Sequence, residues 1–440
     1  MAARLLMTRT GRWFILAAVI WLVTCTSSAL SLTQNSDITL GPVVSGTNQN
    51  STFINIVSDS DCSPVVRYAN DSYFSTFQRY DHEIFISSFS RNHTIRIDDL
   101  EPATKYHYNL SECGSQEVDR MFSTYPAIGS CTFIVYGDTR EQAPLYTQTE
   151  RHKLVADRIA QEKNILFVIN SGDLVSNSTD PAEWLRFFNA TEKLRSMTTY
   201  NAIPGNHDTD RLLFRQIFEE EWPDYFDCGA ARIILLDSTD MSSITMMEQA
   251  QWLSNVKNIR DRVTIVILHH PVYSSEEKHY GGYEDLQRVL VPVFQENRVR
   301  LVFFSHVHTF EQVNREDITY ITEGRGGAPA YPLNTTRIPG SVKSIENTLG
   351  YSRITVDPAG KILVEAIRVA DVSPDLRTVT KVYPPDTIDT KIRIPFSDTN
   401  AGFTDISIIM CFQQRSEGMS GCRNPLAHRI IHKLDVSLNK

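Results

Sequence analysis

The stretch Cys131-Thr-Phe-Ile-Val-Tyr-Gly-Asp138-Thr-Arg140 shows the pattern that decides the fold. Its apolar run, Cys131 to Tyr136, predicts a buried strand, and the Gly-Asp step after it predicts a turn that carries a carboxylate. Similar apolar runs recur at residues 165–169, 199–203, 232–236, 263–268 and 299–304. Helix-like stretches lie between them at about 148–163, 182–197, 246–259 and 283–296. Strands that alternate with helices of this length predict an α/β domain with a mainly parallel, buried sheet.

A short polar motif follows each of five strands. In chain order the motifs are Gly137-Asp138-Thr139-Arg140, Gly172-Asp173-Leu174-Val175, Gly205-Asn206-His207-Asp208, His269-His270-Pro271 and Ser305-His306-Val307-His308. Each motif alone is typical of an ordinary turn, but the carboxyl ends of the strands of such a sheet meet at one edge. Burying so many polar side chains in a hydrophobic core would be costly, so we expect them to form one site.

The side chains in these motifs are suited to binding metal ions. Carboxylate, amide oxygen and imidazole groups are ligands for zinc, manganese or iron, and the motifs lack the thiolates of a structural zinc site. An aspartate that bridges two ions about 3.5 to 4 Å apart creates a site that clamps a phosphate and activates water. The motifs therefore indicate metal-assisted chemistry on a phosphate.

The order and the residues of the five motifs resemble those of the calcineurin-like metallophosphoesterases, and more closely those of the purple acid phosphatases. The resemblance extends from residue 39 to about residue 370. It implies a metallophosphoesterase α/β sandwich that binds two divalent or trivalent metal ions, which are Fe, Zn or Mn. The implied reaction is the hydrolysis of a phosphate monoester by attack of a metal-bound hydroxide.

Carried over motif by motif, the resemblance implies that Asp173 bridges the two metals. The other implied ligands of the first metal are Asp138 and His308. Those of the second metal are Asn206, His269 and His306. His270, the residue after His269, is the alternative ligand in the fourth motif.

The resemblance also implies catalytic residues beside the metals. His207 would touch the phosphate or protonate the leaving oxygen. His279 lies in the loop where family members place a substrate histidine, and an exposed loop histidine is the alternative interpretation. Arg140 has no counterpart in the family pattern, and its own chemistry suggests that it binds a phosphate bidentately, with a structural salt bridge as the equal alternative. Asp208 and Glu311 are candidates for orienting the imidazoles.

Three positions depart from the family pattern. Ser305 stands where the family has the Gly before His306, which we expect to alter only the strain of the turn. Arg140 stands where purple enzymes have Gly and the wider family has a metal-binding His, and Ser176 stands where purple enzymes have a Tyr ligand. The first metal therefore lacks one expected ligand, and we hypothesise that His152 replaces it, the alternative being an ordinary helix-surface histidine. Because the purple colour comes from a tyrosine phenolate bound to ferric iron, we expect a colourless protein.

The N-terminus has the features of a secretory signal. Arg4, Arg9 and Arg12 precede an apolar run from Trp13 to Val23, which is shorter than the roughly 20 residues that span a bilayer. We expect cleavage after Ala29, with an uncleaved anchor as the alternative. The product would be secreted or lumenal, in the secretory or lysosomal pathway, with no stable membrane insertion. Glycosylation sequons that agree with this route lie at Asn50, Asn70, Asn92, Asn109, Asn177, Asn189 and Asn334.

Six cysteines follow the predicted signal, an even number that fits an oxidising compartment. They are Cys62, Cys113, Cys131, Cys228, Cys411 and Cys422. Fifteen pairings are formally possible for six cysteines. Proximity in sequence favours Cys411 with Cys422, and a shared N-terminal region favours Cys62 with Cys113, which leaves Cys131 and Cys228.

The sequence divides into four segments. Residues 1–29 are the predicted signal peptide, and residues 30–126 show the short alternating runs of a β-sandwich. Within them, Leu100-Glu-Pro-Ala-Thr-Lys-Tyr106-His-Tyr108 resembles part of a fibronectin type III-like domain. Residues 127–370 form the predicted metallophosphoesterase domain. Residues 371–440 are predicted to be a C-terminal extension with a disulfide.

Composition excludes several other classes of protein. The 440-residue chain is 41% hydrophobic and 22% charged, which argues against a disordered chain and a polytopic membrane protein. Its net charge of -9 gives no support to nucleic acid as a structural partner. Two alternatives to a phosphomonoesterase are a phosphodiesterase or nucleotidase with the same site, and a non-catalytic cell-surface binding protein with a degraded first metal site.

Overall fold

The computed structural model describes residues 37–114, 118–219, 221–373, 375 and 377–395. The predicted signal peptide and the predicted Cys411–Cys422 pair lie outside these residues. The described chain forms an N-terminal pair of β-sheets and a larger part that contains two further sheets and most of the helices. None of the helices in these ranges combines the length and apolar character needed to cross a membrane.

The N-terminal part is built from two antiparallel sheets that pack face to face. The first sheet contains, in spatial order, β1 (Ile38–Ser45), β2 (Thr52–Cys62) and β5 (Ser90–Ile97). The second contains β4 (His82–Phe85), β3 (Val65–Asn70), β6 (Lys105–Ser111) and β7 (Arg120–Ser123). Helix α1 (Asp71–Phe77) lies between β3 and β4 in the chain. Buried side chains from both sheets, such as Ile54 and Tyr108, share one core, and the predicted Cys62–Cys113 disulfide is confirmed.

The third sheet carries three of the polar motifs. Its members are β8 (Cys131–Tyr136), β9 (Phe167–Asn170), β10 (Thr199–Ala202), β18 (Thr348–Val356), β19 (Ile362–Val372), β20 (Val379–Val382) and β21 (Ile388–Ile394). The order is β10-β9-β8-β18-β19-β20, and β21 also pairs with β19. Strands β8, β9 and β10 are parallel, so their carboxyl ends lie at one edge.

The fourth sheet carries the two histidine motifs. Its members are β11 (Asp224–Cys228), β12 (Ala231–Leu235), β13 (Val263–Ile267), β14 (Leu301–Phe304), β15 (Phe310–Arg315), β16 (Ile318–Glu323) and β17 (Ser341–Ile345). The order is β11-β12-β13-β14-β16-β15-β17, with β12, β13, β14 and β16 parallel. A disulfide between Cys131 in β8 and Cys228 in β11 joins the two sheets, which confirms the remaining predicted pair.

These two sheets form a sandwich with helices on both outer faces. The helices are α2 (His152–Ile159), α3 (Pro181–Arg195), α4 (Arg211–Phe218), α5 (Ser243–Asn255) and α6 (Glu284–Glu296). Helices α2, α3 and α4 pack on the third sheet, and α5 and α6 pack on the fourth. A separate apolar core fills the space between the sheets. The α/β prediction is therefore confirmed, but the single, mainly parallel sheet was wrong, because β15–β16 and β18–β21 add antiparallel pairs.

The third sheet continues beyond the predicted domain boundary at residue 370. That boundary falls inside β19, and β20 and β21 both pair with β19. The alternating residues of Ile388–Ile394 bury Ile392 and Ile394, which is the pattern of a strand with one face on a core. The described part of the predicted C-terminal extension is thus a part of this sheet.

Candidate metal centre

Four donor atoms from four motifs converge on one point, and we call these residues the Asn206 cluster: Asp173, Asn206, His269 and His306. Asn206 Oδ1 lies 3.1 Å from His269 Nε2 and 2.8 Å from His306 Nδ1. His269 Nε2 lies 3.3 Å from His306 Nδ1 and 3.4 Å from Asp173 Oδ1. Donor atoms that share one zinc-type ion at about 2.0 to 2.2 Å lie roughly 3 to 3.6 Å apart. The cluster therefore has the chemistry and spacing to hold one ion.

A second group, which we call the Asp138 cluster, consists of Asp138, Asp173 and His308. Each residue offers one donor atom, and these atoms lie within 4.8 Å of one another. Asp138 is fully buried, yet neither of its carboxylate oxygens has a hydrogen-bond partner among the described residues. A buried carboxylate without partners is costly unless a cation neutralises it. The Asp138 cluster thus fits a second ion, and Asp173 is common to both clusters.

The backbone around the ligands is held in unusual conformations. Asp138, Asp173 and His306 have positive φ angles of 55°, 55° and 66°, in the left-handed region that non-glycine residues rarely adopt. Two glycines leave room for the ligands, since a Cβ atom on Gly205 would overlap the Asp173 carboxylate and one on Gly324 would overlap that of Asp138. Strain of this kind concentrates at functional sites.

Burial sets the protonation states that metal binding needs in the imidazoles. It lowers the pKa of His269, of His306 and of His308, because a buried cationic ring loses its hydration. Neutral imidazole is the form that binds a metal. Burial and the neighbouring Asp173 carboxylate raise the pKa of Asp138, because both disfavour a second negative charge there. The polar atoms of both clusters are therefore matched to a positive ion.

Hydrogen bonds fix which nitrogen of each ligand faces the cluster. His269 Nδ1 lies 2.9 Å from the carbonyl oxygen of Ser171, which leaves Nε2 for the Asn206 cluster. His306 uses Nδ1 in the cluster, and its Nε2 lies 3.0 Å from the hydroxyl of Tyr283. His270, the alternative to His269, also offers a donor atom within 4.8 Å of those of His269 and His306, while its Nδ1 lies 3.0 Å from the hydroxyl of Ser238. The contacts of His269 Nε2 with Asn206 and Asp173 favour His269 over His270 as the ligand.

The three residues expected to be catalytic all lie beside the clusters. His207 Nδ1 is 2.8 Å from the carbonyl oxygen of Ser176, and its Nε2 is 4.0 Å from Asp173 Oδ2. Arg140 Nε is 3.6 Å from the same oxygen and has no hydrogen-bond partner among the described residues. The ring of His279 lies 4.9 Å from that of His306, centre to centre. The nine predicted site residues are thus Asp173 and eight residues that belong to the two clusters or lie beside them.

Three residues lie elsewhere than expected. His152 is buried with its Nε2 3.1 Å from the Tyr136 hydroxyl, and its ring packs near Phe187 in the core, so it does not supply the missing ligand. Asp208 accepts hydrogen bonds from the backbone amides of Gly205 and Leu174 and orients no imidazole. Both calls were wrong because sequence separation does not show which way a side chain turns.

Glu311 was also expected to orient an imidazole, and it accepts instead from the backbone amide of Ser275 and the hydroxyl of Ser341. It thereby anchors the loop that carries His279.

Sequence reasoning missed three residues that support the site. Tyr283 contacts His306 as described above, and Tyr331 stacks on His308 at 4.1 Å while its hydroxyl accepts from Arg140 at 3.2 Å. Glu276 is 1% exposed and lies 2.6 Å from His279 Nδ1. The three-residue spacing between Glu276 and His279 was a visible signal. The two tyrosines had none, because Tyr331 approaches from another loop and Tyr283, at the end of the loop with His279, contacts His306, which is 23 residues away.

Comparison with known proteins agrees with this geometry. Residues 131–310 match the calcineurin-like phosphoesterase family. Purple acid phosphatase 21 of Arabidopsis thaliana is 26% identical over 306 residues, covering 60% of this chain and 65% of the relative. The chain thus spans slightly less than two thirds of that relative's length.

Two solved structures share the fold. Purple acid phosphatase PPD1 from yellow lupin (Lupinus luteus) seeds has a TM-score of 0.61 at 16% identity, covering 74% of this chain and 71% of that chain. The structure of PhoD has a TM-score of 0.62 at 11% identity, covering 92% and 99%. Residues 131–310 therefore match the calcineurin-like phosphoesterase family model, in a chain that is similar in sequence to purple acid phosphatases.

Proposed function

We propose that this protein is a metal-dependent phosphoester hydrolase of the acid phosphatase type, which acts on phosphate monoesters and is secreted or lumenal. The observation that carries the proposal is the pair of clusters that share Asp173. One bridging carboxylate with three further donors on one side and two on the other is the arrangement that a dinuclear centre needs. Nothing in a hydrophobic core requires it.

Two ions held by these residues would act as Lewis acids on a phosphate oxygen and lower the pKa of a water molecule between them. Zn, Mn and Fe all suit a set of carboxylate, amide oxygen and imidazole ligands. These residues would hold the ions in place before substrate arrives, because the oxygens of Asp138 have no hydrogen-bond partner among the described residues and burial lowers the pKa of His308, which favours its neutral form.

Around the metals, three side chains would receive the phosphate. Arg140 has a free Nε beside Asp173 and is the fixed positive charge at the Asp138 cluster, where charge on the phosphate oxygens increases during the reaction. His207 directs Nε2 toward the same carboxylate, because its Nδ1–H donates to the Ser176 carbonyl. In that position it contacts the phosphate or the leaving oxygen. His279 approaches from the side of the Asn206 cluster.

The surroundings of the site support a secretory location. Two disulfides are typical of an oxidising compartment. We infer that the N-terminal pair of sheets is a fibronectin type III-like module, since its division into three and four strands supports the resemblance seen around Tyr106. Among the sequons, Asn50 and Asn92 are exposed and available for glycosylation, whereas Asn109 is buried in β6.

The proposal is tested by assaying purified protein on phosphate monoesters and diesters after loading with Zn, Mn or Fe. We expect two ions per chain by elemental analysis and preferential turnover of monoesters. Turnover of diesters alone would move the assignment to the phosphodiesterase alternative. A protein that binds fewer than two ions and hydrolyses none of these esters would be the non-catalytic alternative.

A further inference from the structure

The loop between Pro271 and Tyr283 contains a buried carboxylate that directs His279 toward the site. Glu276 is 1% exposed, and its Oε2 lies 2.6 Å from His279 Nδ1. The same oxygen accepts from the backbone amides of Lys278 at 3.0 Å and of His279 at 2.8 Å. One carboxylate oxygen therefore holds both the backbone turn and the imidazole.

The rest of the loop keeps Glu276 in this position. Its own amide donates to the hydroxyl of Ser274, and the amide of Gly281 donates to the Ser274 carbonyl. The neighbouring amide of Ser275 donates to Glu311, which lies on β15. The loop is thus tied to the fourth sheet through backbone groups and side chains that are themselves buried. Glu276 is not free to follow His279 if the ring moves.

His279 is placed against the Asn206 cluster by this arrangement. Its ring lies 4.9 Å from the ring of His306 and stacks at 5.6 Å on Tyr283, which itself contacts His306. Because Nδ1 is engaged by Glu276, Nε2 is the nitrogen left to meet a ligand. A quarter of the side chain, 26%, is exposed, so the ring is accessible from the side where substrate would arrive.

We propose that Glu276 is the positioning residue for His279, holding Nδ1 so that Nε2 faces an oxygen of the bound phosphate. The carboxylate can hold the ring because it is itself buried and fixed by the backbone amides of Lys278 and His279. This rests on the proposed function, because it assumes that phosphate binds at the two clusters. It gives a role in substrate binding to a carboxylate that is neither a metal ligand nor a contact of the reacting atoms.

The test compares Glu276→Gln with the wild-type protein in the metal-loaded state. Glutamine keeps the shape and one acceptor oxygen but removes the charge. We expect kcat/KM for 4-nitrophenyl phosphate to fall about 10- to 100-fold, the range seen when a partner that orients a functional histidine is changed. Affinity for inorganic phosphate, measured by calorimetry, should fall in parallel, with metal content and unfolding temperature unchanged. Glu277→Gln, an exposed neighbour, is the matched control and should behave as wild type.

A double-mutant cycle separates positioning from a general structural role. If Glu276 acts through His279, then Glu276→Gln has no further effect in a His279→Ala background. Additive losses, or a Glu276→Gln variant that binds phosphate as wild type does, would overturn the proposal. If the wild-type protein holds two ions but hydrolyses no ester, the proposed function has failed, and phosphate calorimetry on the same variants still decides the role of Glu276.

Discussion

The two halves of the candidate metal centre share Asp173 but differ in how completely the chain builds them. In the Asn206 cluster the measured donor–donor distances lie between 2.8 and 3.4 Å, and each imidazole has a partner behind it. In the Asp138 cluster the His308–Asp138 separation is 3.6 Å, and both Asp138 oxygens lack partners. The guanidinium of Arg140 lies beside it. The Asn206 cluster thus has four closely spaced donors, whereas the Asp138 cluster has three donors and a neighbouring positive charge.

This difference lies in how many side chains the motifs supply to each cluster. The Asn206 cluster draws on the ends of four strand–motif units, which the packing of the two sheets brings together. The Asp138 cluster would need one more ligand, and Ser176 at the expected position donates its hydroxyl to the Glu141 carbonyl. We therefore expect the ion at the Asp138 cluster to be the more weakly held of the two.

The largest effect is expected at the residue that both halves share. Asp173→Asn removes the bridging charge from both clusters, so metal content should fall and turnover of 4-nitrophenyl phosphate should drop at least about 1000-fold, equivalent to about 4 kcal/mol of transition-state stabilisation. The fold should persist, because the core lies between the sheets and not at their edge. Elemental analysis, steady-state kinetics and circular dichroism measure these three quantities.

Asp157→Asn is the control, since Asp157 forms only a surface ion pair with Lys153 on α2. Near-wild-type turnover in pure Asp173→Asn would show that the two clusters do not act as one centre, and the comparison between them would lose its basis.

The sequence predicted the ligands better than it predicted their surroundings. Asp138, Asp173 and His306 were recognisable because each follows a strand within a motif of the Gly-Asp or Ser-His type, where the chain turns. Asp208 and Glu311 were expected to face imidazoles, yet they accept from backbone amides, because nearness in sequence to a ligand does not determine side-chain direction.

The same limit applies to the fold. The alternation of strands and helices showed the parallel strands, whereas the continuation of the sheet past residue 370 was not predicted. The adjacent prolines Pro384 and Pro385 interrupt the strand pattern before the alternating residues of Ile388–Ile394. Tyr283 and Tyr331 reach the site from loops far from the ligands they touch. Contacts of this kind depend on packing and leave no local pattern.

A smaller effect should separate the two halves. On titration with a chelator, we expect one ion to leave before the other. Arg140→Gly removes the neighbouring positive charge and should therefore tighten binding of the first ion to leave about tenfold, equivalent to about 1.4 kcal/mol. This is less than the interaction energy of a few kcal/mol between two charges a few Å apart near a protein surface. The variant should also raise KM, because the proposed phosphate contact is lost.

Metal content at each chelator concentration and steady-state kinetics make the measurement, with Arg186→Gly as the control. Arg186 is a second partly buried arginine, and it pairs with Glu141 outside both clusters. Loss of both ions in a single step in the wild-type protein would mean that the clusters are equivalent in affinity despite their different geometry.

The last prediction is that the iron-loaded protein has no strong visible absorption band. In the family that the motifs resemble, the purple colour comes from a tyrosine phenolate on ferric iron at the metal that corresponds to the Asp138 cluster. Here Ser176 occupies that position and its hydroxyl is engaged by Glu141. Tyr331 is the aromatic residue stacked on His308, but its hydroxyl accepts from Arg140. Iron-loaded protein should therefore be colourless in an absorption spectrum. A strong visible band that reduction abolishes and Tyr331→Phe removes would show that Tyr331 completes the Asp138 cluster, and the two halves would then be alike.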